Sequence, residues 1–156
     1  MPEILTDLKA RKEKLLSTRH LDVKVDGWDD DGEPPVYVRY GTVTNATIEA
    51  GEKAVTDAKD APAKLAANAQ VLVAACQGVF QKVDGKRVGF DPAKPDAWPR
   101  FDKDLAKILG LAGEPPSALI CQALFLSEGN LLAHVGAVAV FSGQKIAEVD
   151  TELLGE

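Results

Sequence analysis

At 156 residues the chain is long enough to bury one core, and its 46% hydrophobic and 27% charged content excludes a disordered or collagen-like polymer. A net charge of −6 opposes broad attraction to nucleic acid phosphates, which needs clustered Lys and Arg, so nucleic acid is not an expected partner. Cys76 and Cys121 lack a Cys-x-x-Cys partner and sit in apolar runs, which predicts buried free thiols in a reducing cytosol.

The opening MPEILTDLKARKEKLL carries charges throughout and has no apolar block of the kind a secretory signal needs. It places Ile4, Leu5, Leu8, Leu15 and Leu16 on one stripe, predicting an amphipathic helix over residues 3–18. Its basic residues, Lys9, Arg11, Lys12, Lys14 and Arg19, are diluted by Asp7 and Glu13 and read as a solvated face. From His20 the period changes to two: Leu21, Val23 and Val25 alternate with charged residues, and Val36, Val38 and Tyr40 alternate with Tyr37 and Arg39. The turn-rich GWDDDGEPP between them predicts an antiparallel hairpin with a long loop.

Thr44 or Asn45 can cap a helix reaching about Lys59. Pro62 fits the first turn of a longer helix. Its sequence KLAANAQVLVAACQGVF sets Leu65, Leu72, Ala75, Cys76 and Val79 on one stripe, the expected central core helix. Asp84-Gly85 has the composition of a type I′ turn and predicts a small projecting β-ribbon, followed by a proline-rich irregular connector, DPAKPDAWP. Phe101, Leu105, Ile108 and Leu109 mark a short helix that Gly110 terminates. A further helix starts at Pro115-Pro116 and runs through Leu126, and Ser127 caps a last one carrying Leu131, Leu132, Val135, Val138 and Phe141. The polar interruption Ser127, Glu128, Gly129 and Asn130 falls mid-way through the most apolar stretch, residues 123–141, and argues against a membrane span.

The chemistry-bearing patterns are sparse. Aligned on Gly32, the acidic loop DGWDDDGE would place Gly27 and Val38 at the ends of a calcium-binding loop, so that motif fails and a solvated hairpin loop is expected. His20 and His134 have no ligand spacing; His20 reads as a helix-to-strand junction residue and His134 as a hydrogen-bonding residue on a helix flank. No nucleophile elbow, phosphate-binding loop or dinucleotide fingerprint appears, so no catalytic, metal or cofactor residue is assigned and a non-enzymatic role is expected. Trp28 and Trp98 read as lids on the core.

Taken in order, LKARKEKLL, LDVKV with VYVRY after an acidic turn, NAQVLVAACQGVF, ALFLSEGNLLAHV, FSG and ELLGE resemble the tail assembly chaperones of long-tailed phages that infect actinobacteria. The resemblance covers most of the chain. It implies a non-catalytic protein of the host cell cytoplasm that binds the tape measure protein during tail assembly. It also implies a longer, frameshifted form extending from ELLGE that bridges to tail tube subunits. It supplies no residue-level binding motif. The partner-binding candidates Leu124, Leu131, Leu132, Val135, Val138 and Phe141 rest on apolar patterning, which leaves open how many face the chain's own core.

The expected architecture is one α+β, mainly α domain over 1–156, with an N-terminal helix and β-hairpin, a central long helix, a small β-ribbon and C-terminal helices. Excess apolar surface makes a homo-oligomer a further expectation. Two rival readings stand beside the chaperone: a structural virion protein of the head-tail connector or tail terminator type, and an enzyme using Asp29, Asp30 and Asp31 with a metal.

Overall fold

The structure is a computed structural model that describes the backbone of residues 2–144 and the side chains of residues 7–15 and 18–143. The segment ELLGE and the side chains of Ile4, Leu5 and Leu16 lie outside the described residues. The fold is α+β and mainly α. In chain order it runs α1 (Pro2–Thr18), β1 (Leu21–Val25), β2 (Val36–Tyr40), α2 (Asn45–Asp57), α3 (Ala61–Ala75), β3 (Cys76–Val83), β4 (Lys86–Val88), α4 (Lys103–Ile108), α5 (Ser117–Leu124) and α6 (Glu128–Ala139), closed by a π-helical turn, Val140–Gln144.

The four strands form one antiparallel sheet in the order β1-β2-β3-β4. Residues paired across antiparallel strands share a face. Val23, Val38 and Val79 are in register, as are Val25 and Val36, so these valines make the inner face with Tyr40. That face meets α3, α5 and α6, and one buried cluster runs through Val25, Val38, Tyr40, Leu72, Val79, Leu105, Cys121, Leu124, Leu131 and Val138. The helical hairpin α2–α3 is inserted between the paired strands β2 and β3.

The expected helix through Val79 is corrected by the structure. The chain leaves α3 at Cys76, which turns extended at φ −65° and ψ 126° while its N–H still donates to the Leu72 carbonyl. Residues 76–83 then form β3, which lies between β2 and β4. Gly78 is unfavourable inside a helix and apt here. It pairs with Arg39, and a Cβ placed on it would stand 3.0 Å from Cβ of Trp98, so only the missing side chain admits the indole.

Asp84 and Gly85 both have positive φ, 51° and 78°, as a type I′ turn demands. The ribbon they close is the edge of the main sheet rather than a separate projection. Helix α2 ends at Asp57, two residues short of the expectation, after a cap in which Thr44 Oγ1 accepts from the Thr47 N–H. Gly51 marks the close approach of α2 to α3, where an added Cβ would press on Val71 Cγ2 at 2.5 Å. The fifth helix stops at Leu124 instead of Leu126 because Phe125 is already extended.

The outer sheet face carries Asp22, Tyr37, Arg39 and Phe80. Trp98, from the proline-rich connector, stacks on Phe80 at 4.4 Å, and the Arg39 guanidinium lies 4.9 Å from the indole centroid. Asp22 accepts from Arg39 Nε at 2.7 Å and from Arg87 Nε at 3.0 Å. Burial pushes its carboxyl pKa up, but the hydrogen bond and charge of Arg39, with the hydrogen bond from Arg87, outweigh that and hold it below the usual range.

Helix α1 stands apart: residues 7–15 are exposed throughout, and neither Leu8 nor Leu15 joins the core. Truncating a buried side chain costs both transfer free energy and a cavity, so Leu72→Ala is expected to lower unfolding stability by about 2–5 kcal/mol. Leu8→Ala should change it by less than about 0.5 kcal/mol. Urea unfolding followed by circular dichroism checks both.

Candidate functional site

The polar corner between α5 and α6 is built by hydrogen bonds from distant sequence. Pro116 occupies the N-cap of α5 rather than its first turn. At the other end Trp28 Nε1 donates to the Leu124 carbonyl at 2.9 Å, satisfying a terminal acceptor of α5. Ser127 caps α6, its Oγ accepting from the Asn130 N–H at 3.1 Å, as the sequence signals. Asn130 in turn binds the end of the β1 strand: its Oδ1 accepts from the Asp26 N–H at 3.0 Å and its Nδ2 donates to Asp26 Oδ2 at 3.2 Å. Gly27, at φ +100°, leaves room for Leu126, whose Cδ1 would lie 2.8 Å from a Cβ there. The two helices meet at a bend of 113°, and among the described residues no single helix is long and apolar enough to cross a membrane.

His134 sets the rotation of α6. It is fully buried, with Nε2 2.8 Å from the Lys24 carbonyl and Nδ1 2.6 Å from Tyr40 Oη. A carbonyl only accepts, so Nε2 carries the hydrogen and Nδ1 of the neutral ring accepts from the tyrosine hydroxyl. The helix is thereby joined to β1 and β2 at once. Phe125 closes the pocket with its ring 4.7 Å from the imidazole, edge to face. Burial lowers the His134 pKa below 6.5, only partly opposed by the Lys24 carbonyl and the Asp26 charge, and burial raises that of Tyr40 well above 10.0.

The packing of α5, α6 and the closing turn divides the six apolar candidates. Leu124, Leu131 and Val138 are core residues, between 0% and 2% exposed, and are unavailable to a partner in the folded chain. Val135 packs against the core from its margin. Phe141 is half-buried, with the Arg19 guanidinium 5.5 Å from its ring centroid. Leu132 remains, 47% exposed; Leu119 on α5 and Leu126 in the corner are exposed too, at 50% and 57%. Leu119 and Leu126 were not among the sequence candidates; helices apolar on several sides give no period from which to pick the outward residues.

Most of the remaining chemistry-bearing groups have structural partners. Asp29 pairs with Lys24 at 2.7 Å, Asp31 Oδ1 accepts from the Glu33 N–H, and among the described residues no three His, Cys, Asp or Glu side chains gather as a metal site. His20 lies at the helix-to-strand junction with Nδ1 2.9 Å from the Thr18 carbonyl. Cys76 and Cys121 are buried free thiols; burial pushes Cys76 up to about 12 and Cys121 higher still, so both stay protonated and unreactive. Comparisons with protein-family models, curated proteins and solved structures give no match to this chain.

The His134 environment fixes a pH dependence. Above pH 6.5 the imidazole is neutral whether folded or unfolded; below it the unfolded chain takes up a proton that the folded chain refuses, so stability falls with pH until the lowered folded pKa is passed. The slope expected is at most about 1.4 kcal/mol per pH unit. Urea midpoints measured between pH 5 and 7 should show this decline in the native chain and a flatter profile in His134→Gln.

Proposed function

We propose that the chain is a tail assembly chaperone of a long-tailed phage, holding the tape measure protein reversibly in the host cytoplasm while the tail is built. It acts by binding alone, without a catalytic step or a cofactor. The observation that carries this reading is the exposure of Leu119, Leu126 and Leu132 on and beside a corner whose backbone is tied down by Trp28, Ser127 and Asn130. Amphipathic helices of a client bind such surfaces through residues spaced one turn apart, and a pre-ordered surface loses little entropy on binding them. The net charge of −6 favours solubility of the loaded complex. A frameshifted longer form would add the tail tube contact while leaving this corner unchanged.

Fully burying a leucine contributes about 1.5–3 kcal/mol, so an aspartate at Leu126 or Leu132 should weaken client binding at least tenfold. Co-expression with the tape measure protein is expected to keep that client soluble and copurifying, and Leu126→Asp with Leu132→Asp should abolish both while circular dichroism shows an intact fold. A folded double variant that still retains the client contradicts this choice of surface. Abundant incorporation of the chain into purified virions would instead favour the head-tail connector or tail terminator reading.

A further inference from the structure

Helix α1 and the acidic hairpin loop lie at opposite ends of β1 and carry complementary chemistry. Leu8 and Leu15, seven residues apart and therefore on one helical face, are each 56% exposed. Lys9, Arg11 and Lys12 on the same helix are exposed as well. At the far end of the sheet, Trp28, Phe90, Ile108 and Leu109 line a groove of about 390 Å³ between the β1–β2 loop and α4, and Asp31 and Glu33 stand at its rim. Ile108 is 50% exposed there. The groove thus offers an apolar floor with carboxylates beside it, and α1 offers leucines with cations beside them.

We infer that α1 of one copy docks in the Trp28–Ile108 groove of a second copy. The leucine face fills the groove and the basic residues meet the Asp31 and Glu33 carboxylates. Charge complementarity selects this occupant: the first 20 residues hold more positive than negative side chains, whereas the remainder is more acidic than the chain as a whole. The contact is heterologous, since helix and groove are different surfaces, so a pair of copies still has one free helix and one free groove between them and the assembly grows into a ring or an open chain. This surface is separate from the Leu119, Leu126 and Leu132 corner and does not depend on the chaperone reading.

Light scattering on the eluting full-length chain at tens of micromolar tests the inference. The native chain should exceed the mass of a single 16.6 kDa copy, and raised salt should shift it toward that mass. Leu8→Asp with Leu15→Asp, which removes the helix face, and Ile108→Asp, which spoils the groove, should each run as a monomer. An equimolar mixture of the two variants should give a dimer and nothing larger, because one good helix then meets one good groove. Asp31→Lys with Glu33→Lys, both at the rim and outside the core, should likewise give monomers and guards against a folding defect at Ile108. A native chain that stays monomeric would overturn the proposal, whether its own helix or a client fills the groove. So would association that survives the helix variant, or a mixture that fails to pair, as a symmetric helix-to-helix contact would produce.

Discussion

The imidazole of His134 holds the helical layer and the sheet in one arrangement. Its two nitrogens take the Lys24 carbonyl from β1 and the Tyr40 hydroxyl from β2, so α6 is fixed in rotation and in height above the strands. A fully buried polar ring is tolerated because both of its hydrogen-bonding atoms are satisfied, and it costs dearly if either is lost. Turning α6 by one residue would break both bonds and expose Leu131 and Val138. The inward residues Leu131, His134 and Val138 and the outward Leu132 are consequences of this one constraint.

The outer sheet face is organised differently. There the chain uses its aromatic residues as cover: Tyr37 stacks on Phe80 at 5.5 Å, Phe80 on Trp98, and Arg39 spans Asp22 and the indole. Trp28 does related work at the helix corner by closing the end of α5. With the large aromatics so engaged, the exposed apolar side chains at the corner are flexible leucines. Such side chains adapt to more than one helical partner, which suits the proposed role of holding a long client without a unique sequence match.

Much of the architecture was legible because its signals are local. Thr44 and Ser127 cap their helices, Asp84-Gly85 turns back the sheet edge, and the alternating valines of residues 21–25 and 36–40 form the expected pair. The central strand β3 was not legible, since Val71 to Val79 is apolar in a helical and an extended reading alike. What decides is tertiary: residues 76–81 pair with β2, and Gly78 makes room for Trp98. The candidate site was half legible for the same kind of reason. Apolar residues crowd several sides of α5 and α6, so patterning chose Leu132 together with the buried Leu124, Leu131 and Val138. It passed over Leu119 and Leu126, because the corner they flank is set by contacts from far away in sequence, with Trp28 on the end of α5 and Gly27 beside Leu126.

The corner is thus a surface held in place from behind, and its occupancy in the infected cell is the central claim. Photo-crosslinking from a benzoylphenylalanine placed at Leu126 addresses it directly, with the same group at Val83, an exposed residue at the end of β3, as the reference. The account predicts that the Leu126 probe captures the tape measure protein during tail assembly and the Val83 probe does not. Equal capture from both positions, or none from Leu126 in a folded and expressed chain, would contradict it.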